Sequence, residues 1–145
     1  MKRILITGAN SYIGTAAERR LTAAGHTVDT LDMLRDWQSH DFSAYNSVFH
    51  VAGIAHGKET KENRQLYYRV NRDMAIETAE KSRKSGVKQF IFLSSMSIYA
   101  ENKDIRIDRE TPFSPKGAYG DSKLQADLAI QKMADDKFIV SIMRP

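Results

Sequence analysis

Arg3-Ile4-Leu5-Ile6-Thr7-Gly8-Ala9-Asn10-Ser11-Tyr12-Ile13-Gly14 decides the architecture of this chain. A short apolar run ends at a glycine, and small residues lead from it into a stretch with helical spacing. Ile13, Ala16, Ala17 and Leu21 fall on one face of a helix over residues 12–24, and Gly25 is placed to stop it. Thr27-Val28-Asp29-Thr30-Leu31 is a second strand, ending at Asp32. Strand, helix and strand in so short a span make a βαβ unit, and such a crossover requires parallel strands.

The alternation continues. Ser47–Val51 reads as a third strand and residues 62–85 as a long helix with Leu66, Val70, Met74, Ile76 and Ala79 on one side. Val87–Leu93 and Phe138–Ile142 read as strands, and between them residues 119–134 carry the helical stripe Leu124, Leu128, Ala129 and Met133. Residues 33–46 are less regular, with Trp37 and Phe42 as packing residues; 54–61 and 100–118 read as loops. Nearly all-apolar strands alternating with helices predict an α/β fold. It is a doubly wound parallel sheet of Rossmann type, three layers deep and covered on both faces, in one domain over residues 1–145.

With 145 residues, 41% of them apolar and 28% charged, the chain has an ordinary globular composition. The absence of cysteine excludes disulfides, thiolate metal sites and cysteine nucleophiles. The apolar run after Met1-Lys2-Arg3 is too short for a signal peptide and no run has the length of a membrane span, so a cytoplasmic protein without a membrane partner is expected. The net charge of +4 is spread among acids through Lys58–Arg72 and Lys81–Lys88, which predicts a solvated surface and no nucleic-acid partner. His50 and His56 have no acidic cluster beside them, so no metal site is expected.

Thr7–Gly14, lying between a strand and a helix, has the form of a phosphate loop. Such a loop needs a tight turn, backbone close to the pyrophosphate and N–H groups at a helix N-terminus. Gly14 lets the helix lie close on the strand, and Asp32 stands near the spacing of about twenty residues at which an acid holds the ribose hydroxyls. A carboxylate there favours NAD, because it repels a 2′-phosphate; Arg35 works the other way and keeps NADP open.

A second constellation joins Phe90-Ile91-Phe92-Leu93-Ser94-Ser95-Met96-Ser97-Ile98-Tyr99 to Tyr119-Gly120-Asp121-Ser122-Lys123. The first is a buried strand ending in hydroxyls. In the second, Tyr119 and Lys123 share one helix face, and an ammonium beside a phenol favours the phenolate that a general base must offer. Alternation along the strand turns Ser94 away from the face that Ser95 occupies.

Taken in order, these motifs resemble the extended short-chain dehydrogenase/reductases, especially the NAD-dependent epimerase/dehydratase group that modifies nucleotide sugars. The resemblance also draws on Asp41-Phe42, His50-Val51-Ala52-Gly53, Val70-Asn71 and Arg144-Pro145, and so spans the whole chain. It implies that Gly8, Asn10, Ser11, Tyr12, Ile13 and Gly14 hold the cofactor phosphates, that Asp41 and Phe42 lie at the adenine, and that Val51, Ala52 and Gly53 lie beside the cofactor. It implies Ser95 as the catalytic hydroxyl, Tyr119 as the acid/base, Lys123 as its partner on the nicotinamide ribose, and Asn71 as an ordering residue.

Two departures stand out: Ser11 replaces the usual middle glycine, and the family continues beyond Arg144-Pro145 into a portion that holds the sugar nucleotide. The acids that dehydratases carry after the catalytic hydroxyl are replaced by Met96 and Ser97. The expected activity is therefore a nucleotide-sugar 4-epimerase or 4-keto-sugar reductase, with a homodimer formed through the two long helices. The alternative is an NAD(P)-binding module completed by a missing part or a partner.

Overall fold

The computed structural model describes residues 1–55, 59–99 and 106–145. β1 (Arg3–Thr7), β2 (Thr27–Leu31), β3 (Ser47–His50), β4 (Gln89–Leu93) and β5 (Ile139–Met143) form one parallel sheet in the order β2-β1-β3-β4-β5. The chain steps out from β1 to β2, then returns past β1 to build the rest. Doubly wound sheets open a crevice at such a reversal, beyond the carboxyl ends of the strands. Here the reversal lies between β1 and β3.

Alternation along the strands separates two faces. Leu5, Val48, Phe90 and Phe92 are buried on one, packed with Ala75 and Ala79 of α3 (Met74–Lys84) and Ala126 and Ile130 of α4 (Gly117–Gln131). The irregular stretch after β2 adds Met33, Trp37, Phe42 and Tyr45 to the same core. The other face carries α1 (Tyr12–Ala23). Beside it Ile4, Phe49, Ile91 and Met143 floor an open groove of about 590 Å³. The expected cover of both faces is therefore complete on one face only. Right-handed crossovers account for this: the single step toward β2 sends one helix to one face, and the later steps, all in the opposite direction, send theirs to the other.

Two element boundaries differ from the sequence reading. The long helix begins as α2 (Arg64–Tyr67), widens into a π-helical segment (Tyr68–Asp73) and continues as α3. The widening draws Asn71 fully inside, to partners described below. The expected helix over 119–134 is α4, and it begins earlier because Glu59 Oε2 accepts the Ala118 N–H at 2.6 Å. No spacing rule connects Glu59 to a helix so far along the chain.

The last residues are tied down firmly. Arg144 donates from Nε and Nη2 to the two carboxylate oxygens of Asp127, each at 2.9 Å, and from Nη1 to the Tyr99 hydroxyl at 3.1 Å. Asp127 is fully buried, whereas the Arg144 side chain is 28% exposed. Beyond β4, the Ser94 N–H donates to Met143 O at 2.7 Å and the Met96 N–H to Pro145 O at 2.9 Å. Removing the guanidinium strands a buried carboxylate, a defect that costs about 3–5 kcal/mol. Arg144→Ala is expected to lower the unfolding free energy by about 3 kcal/mol, the low end because the pair is partly wet, as read from the urea midpoint.

Candidate active site

The turn after β1 is held where no side chain fits. Gly8 has φ +93°, and a Cβ on it would lie 2.8 Å from Ala52 N. The Gly8 and Ala9 N–H groups donate to Leu31 O at 3.0 and 3.2 Å, which pins this turn to the end of β2. Ser11 caps α1: its Oγ accepts the Gly14 N–H at 3.1 Å, and its carbonyl accepts the first intrahelical bond from Thr15 at 2.9 Å. The hydroxyl in the place of the middle glycine thus serves its own helix. The N–H groups of Tyr12 and Ile13 remain as the open donors of the helix end, an anion-binding arrangement. A Cβ on Gly14 would meet Ser11 Oγ at 2.6 Å and Gly8 O at 2.9 Å, so the tight cap depends on that glycine.

A cleft of about 710 Å³ opens at the strand reversal. Gly8, Asn10 and Ser11 line it after β1, Asp32 after β2, and Val51, Ala52 and Gly53 after β3. Met33, Trp37 and Gln38, and Leu66, Arg69 and Val70 from the helix after β3, complete the lining. Of the sequence-derived cofactor residues, Asp41 and Phe42 do not line the cleft. Phe42 is fully buried in the core, so its packing reading holds. Asp41 accepts the Ser43 N–H at 2.8 Å and the Ser43 hydroxyl at 2.9 Å, and these bonds hold its carboxyl below the usual range. Met33, Trp37 and Gln38 line the cleft, and none of them was read from the sequence as a site residue.

At the other end the β3 loop meets α4. Lys123 is buried, donates from Nζ to Leu93 O at 2.7 Å and lies 4.8 Å from the Phe92 ring centroid. Burial pushes its ammonium down to about 8, with the Asp127 charge acting in the opposite sense. A Cβ on Gly53 would sit 3.5 Å from Lys123 Nζ and 2.9 Å from Asn71 Oδ1, so a bare backbone allows this approach. Asn71 grips the loop at both polar atoms: Oδ1 accepts the Ile54 N–H at 2.8 Å and Nδ2 donates to Ile54 O at 2.9 Å. The same Nδ2 reaches Ser122 Oγ on α4 at 3.4 Å. Tyr119 is half-buried one turn before Lys123. Ser95 lies just past β4, 8% exposed, with Oγ accepting the Ser97 N–H at 3.1 Å. Gly120 completes the seat, since a Cβ there would fall on the Ser97 carbonyl oxygen.

His50 lies beneath this group. Its Nδ1 is 2.8 Å from Thr7 Oγ1, and its ring stacks against Phe90 and Phe92 at 5.9 and 6.0 Å. Nε2 is buried with no hydrogen-bond partner among the described residues, and so is Ser94 Oγ. Burial first, then the Lys123 charge, pushes the imidazole down to about 3. The described residues contain no group of three His, Asp or Glu placed to hold a metal ion; His56 lies outside them.

The model of the NAD dependent epimerase/dehydratase family matches residues 4–145. The chain belongs to this family. It is 30% identical to a UDP-glucose 4-epimerase of Vibrio cholerae across 99% of this chain and 51% of that protein. The crystal structure of the UDP-Glc/GlcNAc 4-epimerase of Campylobacter jejuni superposes with a TM-score of 0.84 at 24% identity, over 99% of this chain and 53% of that one. UDP-glucuronic acid 4-epimerase of Bacillus cereus, solved with NAD, gives a TM-score of 0.83 at 20% identity, over 98% and 55%. The chain spans about half the length of the relatives it matches. No described helix is long and apolar enough to cross a membrane.

The buried imidazole makes an acid-stability prediction. His50 folds neutral, with its pKa moved from 6.5 to about 3. Between those values the unfolded state binds a proton that the folded state does not, so the His50 contribution is complete above pH 6.5 and is lost progressively toward pH 3. His50→Gln is expected to flatten the fall of the urea midpoint across that window. An unchanged slope would remove His50 from the acid limb.

Proposed function

We propose that this chain is the NAD(P)-binding and proton-handling core of a nucleotide-sugar 4-epimerase or 4-keto-sugar reductase. The observation that carries the reading is the meeting at Gly53. There the loop lining the nucleotide cleft is bonded to Asn71 and passes so near Lys123 that a Cβ on Gly53 would sit 3.5 Å from its Nζ, with Tyr119 one turn earlier on the same helix. The cleft suits a dinucleotide: glycine backbone and open helix N–H groups at the centre, a carboxylate at the ribose end and apolar walls beyond.

Oxidising a sugar alcohol removes a proton from its oxygen and a hydride from its carbon. The nicotinamide, when bound, accepts or returns the hydride. In this reading Tyr119 takes or gives the proton at the sugar oxygen, Ser95 hydrogen-bonds that oxygen, and the Lys123 ammonium stabilises the phenolate form of Tyr119. The Leu93 carbonyl and the Phe92 ring anchor Lys123 from below, while Asn71 fixes the height of the Gly53 loop above it. A nucleotide sugar is the substrate, and Leu66 and Leu128, 49% and 39% exposed on α2 and α4, support a homodimer through the long helices.

The half-length match to its relatives favours a second reading, in which this stretch binds the cofactor and turns over only when completed. Titration separates the outcomes. The only tryptophan of the chain, Trp37, lines the cleft, so NAD is expected to change its fluorescence saturably. Gly8→Val, which places side-chain atoms against Ala52 N, is expected to abolish the change while Tyr119→Phe leaves it intact. Absence of any response or calorimetric heat at millimolar NAD and NADP would end the cofactor reading. Interconversion of UDP-glucose and UDP-galactose by the NAD-loaded chain, lost in Tyr119→Phe, would select the enzyme over the binding module. By light scattering, Leu66→Glu with Leu128→Glu is expected to convert a dimer to a monomer.

A further inference from the structure

The helix that carries Tyr119 starts weakly from its own sequence. Gly117-Ala118-Tyr119-Gly120 puts two glycines in the opening turn of α4, and glycine is a poor helix former. Lys116 stands at the N-cap, where a lysine side chain has no acceptor to offer, and the first turn contains no acid. Further along, α4 is tied to its neighbours. Asp121 Oδ2 accepts from the Tyr68 hydroxyl at 2.7 Å, Gln125 Oε1 accepts from Arg72 Nη1 at 2.9 Å, and Lys123 Nζ donates to Leu93 O at 2.7 Å. The turn that precedes these bonds is reached from another part of the chain. Glu59, on the segment between the Gly53 loop and α2, sends its carboxylate to it. Oε2 accepts the Ala118 N–H at 2.6 Å, and Oε1 lies 3.8 Å from Arg64 Nε. Gly117 has φ +66°, and a Cβ there would fall 2.7 Å from Oε2, so the glycine leaves the space that the carboxylate fills. An anion in this position satisfies an N–H that has no intrahelical partner and complements the positive end of the helix dipole.

Resting on the reading of Tyr119 as the proton-handling group, we propose that Glu59 is a positioning residue for it: its carboxylate caps α4 and fixes where the phenol stands. Tyr119 directly follows the residue whose N–H Glu59 holds, and Lys123 is fixed one turn later at Leu93. These two anchors bracket the tyrosine and set its place relative to the lysine from both ends. Without the first, the glycine-flanked turn frays while the second stays in place. The tyrosine is then displaced from a lysine that has not moved, and catalysis is sensitive to displacements of this kind. The segment that bears Glu59 follows directly on the loop that Asn71 grips at Ile54. The loop lining the cleft and the turn presenting Tyr119 therefore share one strut.

The test uses the full chain, assayed with NAD for interconversion of UDP-glucose and UDP-galactose and with NADH for reduction of a UDP-4-keto sugar. Glu59→Ala is expected to lower kcat by about tenfold or more, while KM and the NAD affinity read from Trp37 fluorescence stay within about twofold of the parent. Glu59→Gln keeps an oxygen acceptor for the Ala118 N–H and is expected to hold kcat within about threefold of the parent. Lys116→Ser added to Glu59→Ala supplies a capping hydroxyl from the N-cap itself and is expected to raise kcat again by at least about threefold. Equal losses in Glu59→Ala and Glu59→Gln, a loss in KM rather than kcat, or a Glu59→Ala chain that matches the parent would overturn the inference and leave Tyr119 in its role. A parent without turnover in either assay would overturn the enzymatic reading itself, and the inference with it.

Discussion

The structure depends on one close approach. Gly8 at the end of β1 and Ala52 just past β3 lie so near that a single added carbon would sit 2.8 Å from a backbone nitrogen. A left-handed backbone at Gly8 turns the chain away there. The strands diverge beyond that point because the chain leaves β1 for one side of the sheet and returns to build the other. The crevice, the position of the α1 N-terminus and the approach of the β3 loop to α4 all follow from this reversal. A second bare backbone, at Gly53, repeats the device at the far end of the cleft and brings the loop down on Asn71 and Lys123.

The ionisable groups around that second contact are arranged against the tendency of the fold. An ammonium and an imidazole are buried beside aromatic rings, and both are driven toward neutrality. Lys123 is stabilised where it stands by the Leu93 carbonyl and the Phe92 face, while His50 has one nitrogen engaged and the other unpaired. Groups of this kind cost folding free energy, and they persist where a local task requires them. The π-helical segment is a comparable local exception: an extra residue in the turn places Asn71 inside, where it grips a loop instead of meeting solvent.

Much of this was legible in the sequence because it is periodic or punctuated. The strands announce themselves as apolar runs, Gly8 and Gly14 as breaks between elements, and Tyr119 and Lys123 as neighbours one helical turn apart. What was not legible depends on contacts distant in sequence. Nothing near Glu59 indicates that it caps α4, a contact between residues 59 positions apart. Asp41-Phe42 carries two expectations, core packing for Phe42 and the adenine wall by resemblance; Phe42 is buried in the core, and neither residue lines the cleft. The bare half of one sheet face escaped because apolar strands predict cover without saying which helix supplies it.

The bonds from Ser94 and Met96 to Met143 and Pro145 have a consequence for synthesis. A chain made from its N-terminus exposes β1, the Gly8 turn and the β3 loop early, and completes α4 at Gln131 only shortly before β5 begins at Ile139. The turn that presents Ser95 has no backing until β5 has paired with β4 and Arg144 has found Asp127. The Gly8 end of the cleft can therefore take shape while the ribosome still holds the residues that back the Ser95 turn. The parts of the cleft are completed in the order of translation, with the turn that carries Ser95 last.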